Sequence, residues 1–180
     1  MKRHLWLLAS LSALLVAACG SNPSQPEVHN PKLPQGSTIA VVDFRDCTIP
    51  DQDDCKGSGA KVTGIFMTQF GTAHVFHADR LPRPMDAAAE LSDDAAAAYA
   101  KSKGYAYVMN GDVTDYFQAT AFTGWWRKER AAVTVRLLDT ATGKILYVHT
   151  DSDTANNGHG SPDGMFQSMA SNVQDDIEDN

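Results

Sequence analysis

A chain of 180 residues with 15 Lys and Arg against 22 Asp and Glu carries a formal charge of −7. That balance argues against a nucleic-acid partner, which needs cations to neutralise phosphates, and against charge-driven binding to anionic lipid. Beyond its leader the chain has about 160 residues, enough for one domain with a core that needs no extra staples.

The leader comes first. Met1-Lys2-Arg3-His4 is a short basic start, and residues 5–18 are apolar apart from two serines. The run is shorter than the roughly 20 apolar residues that span a bilayer and has the length and flanks of a secretory signal. It closes on Leu15-Val16-Ala17-Ala18-Cys19-Gly20, small residues before a cysteine, which resembles the bacterial lipobox. That resemblance implies a signal peptide over residues 1–18 and a Cys19 that carries diacylglycerol on its thiol and a further acyl chain, such as palmitate, on its amine. At about 0.8 kcal/mol per buried CH₂, several chains anchor a protein permanently. Gly20-Ser21 after the cysteine, with no aspartate, points to the outer membrane and a domain on its periplasmic side. Loss of Lys2 and Arg3 with the leader leaves 13 cationic against 22 acidic side chains, a charge of −9.

Residues 19–36 contain four prolines and few apolar side chains, which makes them a tether. At about 3.1 Å per residue it reaches roughly 50 Å. The folded domain, residues 37–180, begins with Ser37-Thr38-Ile39-Ala40-Val41-Val42-Asp43-Phe44, a β-branched run expected to be a buried strand. Cys47 and Cys55 flank the polar Thr48-Ile49-Pro50-Asp51-Gln52-Asp53-Asp54 and read as a disulfide closing a small surface loop in an oxidising compartment. The alternative, a metal pair, needs nearby ligands at the right spacing, and none is local.

Gly57-Ser58-Gly59 then opens a helix with Val62, Ile65, Phe66 and Phe70 on one face and Gly71 as its stop. Residues 73–77 read as a second strand and Leu81-Pro82-Arg83-Pro84 as a loop. Ser92 caps an alanine-rich helix over residues 95–103, ended by Gly104. A third strand runs from 105 to 113 and on to about 122. Residues 130–139 alternate, 139–144 turn a hairpin, and 145–150 return. Ser161-Pro162 starts a last helix with Met165, Phe166, Met169, Val173 and Ile177 on one face. The order β-α-β-α-β-β-β-α implies an α/β (α+β) fold, a mixed sheet of about five strands packed with three helices.

With these segments in place the domain resembles the periplasmic α/β domain shared by the curli secretion channel lipoprotein (CsgG) and LpoB-type activators of peptidoglycan synthases. The N-terminal domain of TolB has a similar plan, and a group of uncharacterised proteobacterial lipoproteins is closer. Ile39-Ala40-Val41-Val42-Asp43-Phe44, the helix after Gly57-Ser58-Gly59, the stretch from Gly104-Tyr105 to Gly111-Asp112-Val113, and Asp139-Thr140-Ala141-Thr142-Gly143-Lys144-Ile145 carry the likeness. It implies a fold more than a function. Arg127, Lys128, Arg130 and Arg136 break the apolar alternation that a membrane barrel strand needs. A tether of roughly 50 Å is short for reaching inner-membrane enzymes.

No cofactor motif, metal motif or nucleophile setting emerges. His74 and His77, three apart on a strand, point to opposite faces. Gly57-Ser58-Gly59 lacks the lysine of a P-loop and reads as a turn. Asp43, Asp46, Asp51, Asp53 and Asp54 lack EF-hand spacing; a solvated loop is the default and a weak calcium site the alternative. Phe122-Thr123-Gly124-Trp125-Trp126-Arg127 stands out because three large aromatics near one turn are costly to leave in water. Three readings stay open: core packing, a patch for a protein partner, and contact with the membrane interface.

The expected function is a non-enzymatic accessory or scaffold lipoprotein. It would bind an envelope protein through Phe122, Trp125, Trp126 and Arg127, or assemble with copies of itself. The alternatives are an activator of a peptidoglycan synthase and a subunit of a secretion or envelope ring. Cys19→Ser is expected to abolish incorporation of labelled palmitate and leave an uncleaved precursor; labelling that survives the substitution removes the lipobox reading.

Overall fold

Ile39, Ala40, Val41 and Val42 are fully buried, so both faces of their strand are covered and the strand must lie inside a sheet. A computed structural model places it there and describes residues 31–119, 128–155 and 160–179. The elements are β1 (Ser37–Val42), α1 (Ser58–Phe70), β2 (Phe76–Leu81), α2 (Asp93–Ser102), β3 (Tyr107–Phe117), β4 (Glu129–Asp139), β5 (Ile145–Ala155) and α3 (Pro162–Glu178), with a short 3-10 turn, Asp53–Cys55, inside the cysteine loop. This is the α+β order expected from the sequence. The sheet order is β2-β1-β3-β4-β5. β1 is parallel to β2 and β3, while β3–β4 and β4–β5 are antiparallel hairpin pairs.

Alternation along the strands sorts the core into two layers. On one face Ile39, Val41, Met109, Val113, Val133, Val135 and Leu137 meet α1 and α3 through Val62, Phe66, Phe70, Phe166, Met169 and Val173. On the other, Ala40, Val42, Val108 and Leu138 meet α2 through Ala96, Ala97 and Ala100. Alanines let this short helix lie close to the sheet. An edge-to-face chain of rings ties the larger layer together. Phe44, Phe66, Phe70 and Phe76 follow at centroid distances of 5.1, 5.7 and 5.3 Å, each contact contributing roughly 0.5–1.5 kcal/mol beyond the burial of the rings.

The helix ends use the predicted caps. Ser92 accepts from Ala95 N and Ser161 from Gly164 N, with Pro162 in the first turn of α3. The extents of β2, β3 and β5 differ most from the sequence reading. β2 begins at Phe76, not 73, and includes Leu81, because parallel pairing with β1 runs from Ser37↔Phe76 to Val42↔Leu81. An edge strand has one neighbour, so His77, Asp79 and Arg80 can face water without breaking it. Residues 73–75 form the entry turn, where Glu178 Oε1 accepts from the His74 and Val75 N–H groups. Burial pushes the Glu178 carboxyl up, but the bonds it accepts from Gln174, His74 and Val75 outweigh this and hold it below its usual range. β3 ends at Phe117, short of 122. β5 runs on to Ala155 although Asp151-Ser152-Asp153-Thr154 carries no strand pattern, because β4 pairs with it along its whole length.

Two glycines are required by packing. A Cβ at Gly59 would sit 2.0 Å from the Phe44 carbonyl oxygen, and one at Gly111 within 2.6–2.7 Å of three Phe44 ring atoms. Gly59→Ala and Gly111→Ala are each expected to cost about 2–4 kcal/mol. In denaturant unfolding Gly64→Ala, where a Cβ meets nothing within 4 Å, serves as the control. Equal midpoints for the three variants would show that the contact around Phe44 relaxes freely.

Candidate functional site

The carboxyl end of β1 is stitched to the first turn of α1. The Asp46 carboxylate, on a residue 6% exposed, accepts from Gly57 N and Gly59 N, both at 2.7 Å. Ser58 Oγ accepts from Cys47 N at 3.1 Å, and Thr63 Oγ1 from Phe44 N at 2.8 Å. Gly57 has φ of 80°, the left-handed conformation that glycine adopts without cost. The Gly57-Ser58-Gly59 segment is therefore a helix start whose anion site is filled by the protein's own carboxylate.

Cys47 and Cys55 are joined as a disulfide with Cα atoms 4.9 Å apart. The loop they close lies against the base of the β3–β4 hairpin. Gln52 Nε2 donates to Tyr116 O at 2.7 Å and to Asp115 Oδ1 at 3.1 Å, while its Oε1 accepts from Arg130 Nη2 at 3.0 Å. Arg130 Nε donates to Asp115 Oδ2 at 2.6 Å, and Asp54 Oδ2 accepts from Gln118 N at 3.0 Å. The Arg130 guanidinium lies 4.8 Å from the Phe117 ring centroid. A β-bulge makes this geometry. The register shifts between Val113 and Asp115, so Asp115 sits opposite Ala132 and Tyr116 opposite Ala131. Without the extra residue, simple alternation would turn Asp115 into the core and Tyr116 out of it.

Beside this base a ladder of ion pairs crosses the sheet on its α2 face. Arg136 bonds Asp93 at 2.9 Å and Asp112 at 2.5 Å. Arg45 Nε lies 3.0 Å from Asp112 as an ion pair without hydrogen-bond alignment, and Asn110 donates to Asp93 and to Leu91 O. Burial works against the Arg136 charge, but its bonds to Asp112 and Asp93 more than restore it and raise its pKa.

On the helical face, Tyr116 donates to Asp163 Oδ1 at 2.6 Å, and Lys61 bonds both groups. Burial pushes the Tyr116 phenol up, and Asp163 adds to this. Lys61 is lowered by burial and raised more by Tyr116 and Asp163. Tyr116 and Lys61 therefore hold their protons at neutral pH, and the trio ties β3 to α1 and α3. Tyr147 makes a similar tie to Asp176 at 2.6 Å, its phenol pushed up by burial and that carboxylate.

Of the residues singled out in sequence, Cys19, Phe122, Trp125, Trp126 and Arg127 lie outside the described residues. The acidic cluster does not converge: Asp43 pairs with Arg80 at 2.6 Å, Asp46 faces the α1 start and Asp54 the hairpin base. His74 and His77 are exposed. Among the described residues no group of three His, Cys, Asp or Glu is placed to hold a metal. An open groove of about 530 Å³ lies between the cysteine loop and residues 86–88, with Asp46, Ile49, Asp53, Lys56 and Asp86 in its walls. Sequence reasoning missed Gln52, Asp115 and Arg130. Nothing local marks them, because they are 15–78 residues apart and meet only through the bulge. Asp46 carried a signal, an acid just after a strand and before a glycine-rich helix start.

No family model matches the sequence, and no curated protein matches it. Solved structures do. PelC from Paraburkholderia phytofirmans, crystallised as a dodecamer, superposes with a TM-score of 0.61 at 20% identity, over 82% of this chain and 92% of PelC. A point variant of the PelC dodecamer gives 0.62 at 20% identity, over 83% and 94%. The hypothetical protein CT253 from Chlamydia trachomatis gives 0.51 at 11% identity, over 81% and 99%. Lipoprotein GNA1162 from Neisseria meningitidis is more distant, at 0.48 and 17% identity over 80% and 99%. At these identities the likeness is one of fold.

Arg136 and Arg80 separate buried from surface ion pairing. Arg136 is 18% exposed and faces two carboxylates, whereas Arg80 is 43% exposed and faces one. Arg136→Ala is expected to lower stability by about 2–3 kcal/mol, since it removes the shared cation from two partly buried carboxylates and leaves Asp112 only Arg45 and Asp93 only Asn110. Arg80→Ala is expected to cost below about 1 kcal/mol. Urea midpoints compare them, and equal losses would show that the ladder acts as an ordinary surface pair.

Proposed function

We propose that this chain is a non-enzymatic, lipid-anchored subunit of a homo-oligomeric assembly at the periplasmic face of the outer membrane. The observation that carries the reading is the extent of its likeness to the PelC dodecamer, whose chain it covers over 92%, so both chains are built on the same elements. The Leu15-Val16-Ala17-Ala18-Cys19 segment supports the anchor. The polar clusters support a scaffold role: Lys61, Tyr116 and Asp163 bond one another and tie β3 to two helices, and the α1 anion site is filled by Asp46. Rings of three or more subunits need two different complementary surfaces on each subunit. This domain offers two unlike sheet edges, the six-residue β2 and the eleven-residue β5.

Native mass spectrometry of the lipidated protein, extracted from membranes in mild detergent, tests the reading. A closed oligomer of defined size is the expected result. A monomer across the concentration range, with an envelope protein captured from photoreactive residues at 125 and 126, would replace self-assembly with the adaptor role.

A further inference from the structure

We infer that the Cys47–Cys55 loop is a strut that positions the base of the β3–β4 hairpin, with Gln52 as its positioning residue. Gln52 stands three residues before Cys55, and its side chain touches both hairpin strands at their base: Asp115 and Tyr116 on β3, Arg130 on β4. The amide suits this post chemically. Its NH₂ faces two acceptors, the Asp115 carboxylate and the Tyr116 carbonyl, and its oxygen faces a guanidinium. A carboxylate there would keep the arginine and lose both donor bonds, and an alkyl group would lose all three.

The loop is held for this purpose from two sides. The disulfide closes eight residues of sequence separation, which removes most of the freedom a polar, proline-containing loop would otherwise have. Both cysteines are only 5% exposed. Cys47 is fixed in turn by its N–H to Ser58 Oγ in the first turn of α1. A second contact from the same loop, Asp54 to Gln118 N, reaches the hairpin one residue beyond the end of β3. The bulge after Val113 brings Asp115 into range. Covalent link, loop and hairpin thus form one chain of contacts from the core outwards. The strut is a property of the single domain; only its consequence for assembly rests on the function proposed above.

Amide hydrogen exchange on the full chain, read by mass spectrometry, tests this in Gln52→Ala, Gln52→Glu and Cys47→Ala/Cys55→Ala. Exchange at Tyr116, Phe117 and Gln118 is expected to speed up roughly tenfold in both Gln52 variants, as Gln52→Ala loses three side-chain bonds and Gln52→Glu the two donated by the amide. Exchange at Ile39–Val42 is expected to stay as in the wild type. The double cysteine variant is expected to match or exceed the Gln52 effect at the hairpin base. Unchanged exchange at the base in Gln52→Ala overturns the proposal, and so does an equal rise at the base and in β1, which marks general destabilisation. The Gln52 variants leave the core and the disulfide intact, so they decide the matter even if the cysteine variant fails to fold. Native mass spectrometry of the same samples separates the two ideas: a wild-type monomer overturns the assembly reading alone, while the exchange result stands on its own.

Discussion

The close approach of α1 to the end of β1 is the constraint on which the rest of the domain depends. Phe44 fits between Gly59, which lets a helix backbone lie against its carbonyl, and Gly111, which opens space for its ring on the neighbouring strand. From there the aromatic chain runs down α1 to β2. Asp46 and Ser58 lock the same junction with hydrogen bonds. A methyl group at either glycine would have to move backbone or a buried ring, because packed interiors yield little.

That junction also decides what the acidic residues do. A chain with an excess of acids is expected to repel itself, yet many of its carboxylates are committed. Asp46 caps a helix, Asp93 and Asp112 share Arg136, Asp115 shares Arg130 with Gln52, and Asp163 meets Tyr116 and Lys61. The partly buried pairs add specificity in register more than net stability, since desolvation offsets much of their attraction. The acidic cluster that reads in sequence as a solvated loop, with a weak calcium site as the alternative, is dispersed in three dimensions: Asp46 at a helix start, Asp43 on an arginine and Asp54 at a hairpin base.

The hairpin base unites the sequence features that looked unrelated. The cysteine pair, read as a staple for a surface loop, also closes the loop that bonds β3 and β4 at the end of their pairing. The two strands carry the aromatic segment singled out from composition, whose residues lie beyond the described structure.

By itself the sequence determined the element order, the helix caps at Ser92 and Ser161, the two-layer alternation of β4 and the pairing of Cys47 with Cys55. Each of these rests on local chemistry: a periodicity, a capping hydroxyl or two cysteines flanking a short polar loop. Only the tertiary structure decided where β2 begins, how far β5 runs, why Gly59 and Gly111 are glycines and which groups gather at the hairpin base. The β2 and β5 boundaries depend on a partner strand that supplies the hydrogen bonds their polar residues do not advertise. The base depends on a bulge, a single extra residue that inverts which side chains face the core. Residues as far apart in sequence as Gln52 and Arg130 meet because the fold brings them together, and no window of sequence contains them both.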